Sequence, residues 1–327
     1  MKPRVSRICL ILCILFAIAS ISTHAAVPEG EQKDYYRIVT LADLHLPGRN
    51  TTNKFKAQEI INSWSDVDYV ALLGDLVSDV GNAAEYEYAE DFVSKFAHPV
   101  LPIVGNHDYI YLDKKNSSGG RERGMFDDRQ RKLDTFKQAY GLESVYYSIE
   151  LKPYLLVFLS TDDLYSSYLA RLSSDQITWF EAELESHKGM PTIVFFHSPL
   201  KGTLIKGNGP AMNPDFWAQP VQTIHDILAN NEQVIAWVSG HTHIAPSNRN
   251  FYDPEITMYD GRVLNVHTPD FNGSGFISEI EWSTQKHNDV FINSLYLYPE
   301  RVVIRTYDAM KHVWLEDLDR EVVLPTV

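Results

Sequence analysis

Residues 234–243 read VIAWVSGHTH, an apolar run closed by a glycine and by two histidines one residue apart. The run is continuous rather than alternating, which is the pattern of a strand buried on both faces. If the strand continued through it, His241 and His243 would share a face, and two neighbouring imidazoles in a core would be poorly solvated. A shared partner explains the pair better: one metal ion, or two. The remaining ligands must then lie elsewhere in the chain.

The same kind of run recurs. YRIVTLA precedes Asp43, YVALLG precedes Asp75, VLPIVG precedes Asn106, YLLVFLS precedes Thr161, and TIVFFH ends at His197. Between several of them lie helical patterns: NKFKAQEIINSW, EYEYAEDFVSKFA, DDRQRKLDTFKQAYG with a closing glycine, and SSDQITWFEAELESHK with a Ser/Asp start. Alternating strands and helices predict an α/β domain. After about residue 261 the pattern changes to successive strands without helices (GRVLNVHT, GFISEIEW, VFINSLYLY, RVVIRTYD), expected to complete or flank the sheets. Residues 26–327 are therefore expected to form a single domain.

The polar residues able to do chemistry fall at the C-terminal ends of these strands, where open α/β sheets present their ligand-binding loops. In order they are Asp43 and His45 in LADLH, Asp75 in LLGDLVSD, Asn106 and His107 in VGNHD, His197 in FFHSP, and His241 and His243 in GHTH. All offer nitrogen or oxygen, a donor set suited to Zn, Mn or Fe ions. The glycines before Asp75, Asn106 and His241 mark sharp exits from the strand or close approaches.

Five blocks in this order, D-x-H, G-D, G-N-H-D, a lone H and G-H-x-H, resemble the calcineurin-like metallophosphoesterase family across residues 43–243. The resemblance implies a four-layer α/β/β/α sandwich with a dimetal site at the C-terminal strand ends. It implies that Asp43, His45 and His243 hold one divalent ion, that Asn106, His197 and His241 hold the other, and that Asp75 bridges them. His107 matches the position of a second-sphere histidine that, in the family, hydrogen-bonds the phosphate or protonates the leaving oxygen. Two divalent ions against the carboxylates of Asp43 and Asp75 leave a net positive centre that attracts phosphate and activates water for direct attack on phosphorus. An imidazole titrating near neutrality suits the proton donor.

Two positions depart from the family pattern. Relatives with a ferric tyrosinate centre have tyrosine three residues after the bridging aspartate, where this chain has Ser78. Others have an aspartate there to orient the second-sphere histidine. Here Asp79 is one position later and Asp108 directly follows His107, and either is a candidate partner for that ring.

The N-terminus carries Lys2, Arg4 and Arg7, then ICLILCILFAIASIS and the small-residue stretch THAA. This is the layout of a cleavable secretory signal over residues 1–25, too short in its apolar run to span a membrane. The protein is therefore expected to be exported, to the periplasm or the medium, with no transmembrane anchor after signal removal. Cys9 and Cys13, the only cysteines, lie in that segment, so neither disulfides nor thiolate ligands are available to the mature chain. The formal charge is −14 overall, and −17 without the three leader cations. Such a surface repels nucleic acid and anionic membranes, and a small anionic phosphoester substrate would need bound cations in the site to overcome that field.

The layout is most similar to the branch with cyclic-nucleotide and other phosphodiesterases, so a diester is the first expectation. Phosphomonoesterase activity, or a metal-binding protein without catalysis, are the alternatives. The basic stretch from Asp113 to Lys132 reads either as a substrate-facing lid or as a solvated loop leading into a helix. Phe216 and Trp217, in an irregular Gly/Pro-rich loop, read either as a cover over substrate or as core anchors. Asn50, Asn116 and Asn272 begin N-x-S/T sequons.

Overall fold

The structure, a computed structural model, describes residues 33–280 and 283–324. The expected leader lies outside them. Two sheets form the centre. In the first, β1 (Tyr36–Leu41), β2 (Tyr69–Leu73) and β3 (Val100–Ile103) run parallel, and Phe291–Leu297 pairs antiparallel with the outer side of β1. Arg301–Asp308 follows it, with the short strands Val313–Trp314 and Arg320–Val323 on its free side. The second sheet is built from β4 (Tyr147–Leu151) and β5 (Tyr154–Phe158), an antiparallel hairpin, followed by β6 (Thr192–Phe195), Val234–Ser239 and Val263–His267, all parallel to β5.

The C-terminal strands divide between the two sheets. Val263–His267 extends the second, while Phe291–Leu297 and Arg301–Asp308 extend the first. The expected strand in GFISEIEW is only Ser274–Phe276, which pairs with Thr284–Lys286 apart from both sheets.

Three apolar layers explain the stacking. Ile38, Ala71, Leu73 and Ile103 of the first sheet meet Leu156, Phe158, Phe195 and Val238 of the second. On the outer face of the first sheet, Val39, Leu41, Val70 and Leu72 cover helices α1 (Thr51–Ser63), α2 (Ala83–Val93) and α4 (Phe126–Tyr140). The short α3 (Asn106–Tyr109) precedes α4. On the outer face of the second sheet, Leu155, Val157, Val194 and Trp237 cover α5 (Ser174–Ser186) and α6 (Val221–Asn230). Each such side chain contributes about 1.5–3 kcal/mol on burial. The result is the expected α/β/β/α sandwich, and it explains why the strands read as unbroken apolar runs: each is covered on both faces.

Helix ends follow local chemistry. Asn82 and Glu85 form a capping box on α2, Ser173 caps α5, and Gly141 closes α4 at φ 65°. Helix α6 was not among the helices expected; its signal, Ile224, Ile227 and Leu228 on one face after Pro220, sits next to a loop whose irregularity obscured it.

Candidate metal centre

All the parallel strands end at one edge of the sandwich, and the loops leaving them carry the expected residues. Asp43 and His45 follow β1, Asp75 follows β2, Asn106 and His107 follow β3, His197 follows β6, and His241 and His243 follow Val234–Ser239. The chain turns there in the left-handed region, which costs a non-glycine residue about 1–2 kcal/mol. Asp43 (φ 53°), His45 (φ 43°), Asp75 (φ 52°), His241 (φ 65°) and His243 (φ 48°) all adopt it. Strain concentrated on five chemically active side chains, against only three other non-glycine positions among the described residues, marks a site held by its surroundings. Gly74 is needed twice over: its φ is 84°, and a Cβ would stand 2.6 Å from the Gly105 nitrogen and 2.7 Å from His197 Nδ1.

The side chains converge in two groups joined through His45 and Asp75. Asp43, His45 and His243 form one; Asp75, His197 and His241 form the other; and His45, Asp75 and His107 link them. Asn106 joins the second, with Oδ1 3.2 Å from His197 Nε2. Asp75 Oδ1 is 3.4 Å from His197 Nε2, while its Oδ2 is 3.9 Å from Nε2 of both His45 and His107.

Hydrogen bonds at the far edges of the rings assign the tautomers. His197 Nδ1 donates to the Leu73 carbonyl at 2.8 Å, and His241 Nε2 donates to the Asp215 carbonyl at 2.7 Å. This leaves His197 Nε2 and His241 Nδ1 facing each other at 3.1 Å, a spacing that needs a proton or a cation between them. Likewise His243 Nδ1 faces Asp270 Oδ2 at 3.1 Å, so its Nε2 points inward, 3.3 Å from His45 Nε2. Ring nitrogens this close repel unless a proton or a metal cation lies between them. Asp43 Oδ1, buried and without a hydrogen-bond partner, is directed to the same place. This donor set fits two cations bound by nitrogen and oxygen.

The protonation tendencies show the same demand for positive charge. Burial would lower the pKa of His197, but the Asp75 carboxylate overrides it and raises the group to about 9. His243 is likewise raised well above its usual value against burial, by Asp43 and Asp270. Burial and the neighbouring His197 push His241 down to about 3. Burial also lowers His107, against the pull of Asp75.

Neither carboxylate that the sequence offered to His107 meets its ring. Nδ1 of His107 donates instead to the main-chain carbonyl of Asp79 at 2.8 Å. The Asp79 carboxylate is held by Lys115 and Arg121. Asp108 accepts from the backbone N–H groups of Gly105, Asp75, Leu76 and Val77 at 2.7–3.2 Å, binding the loops after β2 and β3 together. Ser78 is turned away, donating to Glu85. Trp217 is a core anchor, 2 % exposed, among Leu204, Ile244 and Phe251.

Asp270 was not singled out from the sequence, although it follows Val263–His267 as the other residues follow their strands. The strand-end rule applied to VLNVHTPD would have found it.

The calcineurin-like phosphoesterase family model matches residues 36–245. The chain is 26% identical over 181 residues to a probable cyclic nucleotide phosphodiesterase of Synechococcus sp., covering 54% of this chain and 58% of that protein. It is 24% identical over 216 residues to a probable glycerophosphodiester phosphodiesterase of Arcobacter nitrofigilis, covering 63% of this chain and 71% of that one. Among solved structures it resembles the Plasmodium protein GAP50, with a TM-score of 0.60 at 12% identity over 90% of both chains. It also resembles the purple acid phosphatase of yellow lupin, with a TM-score of 0.56 at 15% identity over 89% of this chain and 54% of that one. At such identities these two establish the fold alone.

Proposed function

Because this chain belongs to the calcineurin-like phosphoesterase family, we propose that it is an exported, metal-dependent hydrolase of small phosphoesters, with a phosphodiester as its preferred substrate. The observation that carries the reading is the inward-facing His197 Nε2 and His241 Nδ1, 3.1 Å apart beside the Asp75 carboxylate, which also groups with His45. Asp43, His45 and His243 would hold one divalent ion and Asn106, His197 and His241 the other, with Asp75 common to both. Bound there, the ions supply an activated water and neutralise charge on the phosphoryl oxygens.

The chain's own part is orientation and proton handling. Hydrogen bonds to the Leu73 and Asp215 carbonyls and the contact with Asp270 hold three imidazoles with one nitrogen inward. His107 keeps Nδ1–H on Asp79, so Nε2 is the atom that would hold the proton passed to the leaving oxygen. Burial works against an imidazolium at His107, and an anionic substrate beside it offsets that cost. No cysteine occurs after Cys13, and water is the nucleophile we propose.

The diester preference is supported by the names of the two sequence relatives, both probable phosphodiesterases. Export is supported by the basic, apolar, small-residue order of residues 1–25.

The test is elemental analysis of residues 26–327 purified without chelator, with hydrolysis of a chromogenic monoester and a chromogenic diester after Mn, Zn or Fe loading. About two metals per chain, faster diester turnover and loss of both activities in Asp75→Ala are expected. Faster monoester turnover would overturn the diester preference. Two metals without turnover on either ester would leave a narrow-specificity enzyme or a binding protein, and no metal after loading would remove the site. Mass analysis of the exported chain checks cleavage after Ala25.

A further inference from the structure

The proposed chemistry uses none of the cations in the basic stretch after α3. Several of them are spent inside the fold. Arg129 is buried and donates to the carbonyls of Gly124 and Ser166, and buried Lys132 donates to those of Val80 and Gly81. Arg131 pairs with Asp113 at 2.9 Å.

Arg121 differs. Its Nε donates to Asp79 Oδ1 at 2.8 Å, and its Cζ lies 5.5 Å from the centroid of the Tyr111 ring. The main-chain carbonyl of the same Asp79 fixes His107, and the Tyr111 ring meets the His107 ring edge-on at 5.4 Å. Arg121 is thus tied to both residues that border His107. Its side chain is 42% exposed, and among the described residues its two Nη groups have no hydrogen-bond partner. Lys115, at 2.6 Å from the other Asp79 oxygen, already balances that carboxylate, so the guanidinium adds uncompensated positive charge beside the site.

A guanidinium fixed at Nε, with a planar fork of free donors, matches the geometry of phosphoryl oxygens better than a point charge does. In a chain of net charge −14, a local cation also offsets the field opposing an approaching anion. We propose that Arg121 is a substrate-binding residue: its Nη groups take an anionic oxygen of the phosphoester, while Asp79 and Tyr111 hold it in place. This rests on the phosphoesterase reading above. It narrows the substrate-facing reading of the basic stretch to one side chain.

The test uses metal-loaded protein of residues 26–327 and reads competitive inhibition by inorganic phosphate, KM and kcat on both chromogenic esters, and metal content. In Arg121→Ala the inhibition constant and KM should each rise about tenfold, the size of one charged hydrogen bond. The kcat should stay within about threefold, because the group binds ground and transition states alike. Arg121→Gln should show the same loss, and Arg121→Lys should recover part of it. Arg131→Ala, which removes the same charge elsewhere, should leave all values within about twofold. Unchanged phosphate inhibition and KM in an Arg121→Ala enzyme with two metals would overturn the proposal alone. So would a fall in kcat without a change in KM, since Arg121 would then act through the His107 loop. A wild-type chain without metal or turnover would remove the parent reading and this proposal with it.

Discussion

Oδ2 of Asp270 lies 3.1 Å from Nδ1 of His243, while the same ring's Nε2 lies 3.3 Å from Asp43 Oδ1. The imidazole is therefore held between two carboxylates that emerge from different sheets. Asp270 also accepts from the backbone of Ser274 at 2.9 Å, which fixes the carboxylate in turn. Such an outer carboxylate orients a ligand ring and raises its basicity.

Asp270→Ala should lower the affinity of one of the two metal positions by about 10–100-fold while sparing the other. Calorimetric titration with Zn or Mn would separate the two events. Equal weakening of both positions, or of neither, would contradict this role.

Metal uptake should release protons. His197, raised to about 9, and His243, held well above 6.5, both carry protons at pH 7 in metal-free protein, and ligands must lose them to bind. Apparent affinity should climb as pH rises towards about 9. The stability of metal-free protein should run the opposite way: both groups are raised above their unfolded value, so their contribution is full below about 6.5, and that of His197 is lost as pH rises through about 9. Calorimetry in buffers of different ionisation enthalpy counts the protons, and urea unfolding with chelator follows the stability.

Lys54 is fully buried, and its Nζ donates to the carbonyls of Leu44, His45 and Pro47 and, at 2.8 Å, to Asn272 Oδ1. It clamps the loop carrying His45 to the loop carrying Asp270. Lys54→Met keeps the stem but strands these acceptors, and should cost on the order of 3 kcal/mol in denaturant unfolding. A loss below about 0.5 kcal/mol would show that the carbonyls find other donors.

Asp162 is outside the grouped donors of the metal centre, and burial raises its carboxyl to about 6 although Ser173 donates to it from both N and Oγ at 2.6 Å. An acid with a folded pKa above its unfolded value destabilises the fold once ionised. Its penalty is absent below about pH 4, grows as pH rises and is complete above about 6, at no more than about 3 kcal/mol. Asp162→Asn should gain on the wild type over that window in urea unfolding. A constant difference across it would refute the assignment.

Much of the architecture was legible from local pattern. Unbroken apolar runs identified β1, β2, β3, β5, β6 and Val234–Ser239, because a strand covered on both faces has no polar side. The residue types after them supplied Asp43, His45, Asp75, Asn106, His107, His197, His241 and His243, because metal and proton chemistry limits the choice of side chain. Less legible was α6, whose short apolar face adjoins the loop holding Trp217.

What the chain order could not decide is how these groups face one another. The partner of His107 is a main-chain carbonyl, and a carbonyl carries no residue identity to read. The adjacent Asp108 spends its carboxylate on four backbone N–H groups from two loops, a pairing created only when β2 and β3 lie side by side. Asp270 reaches His243 because Val263–His267 pairs in register with Val234–Ser239. Hydrophobic patterning thus determined the strands and composition determined the donors. Sheet register and five left-handed backbone turns decided which nitrogen of each ring points inward, because those depend on neighbours brought together from distant parts of the chain.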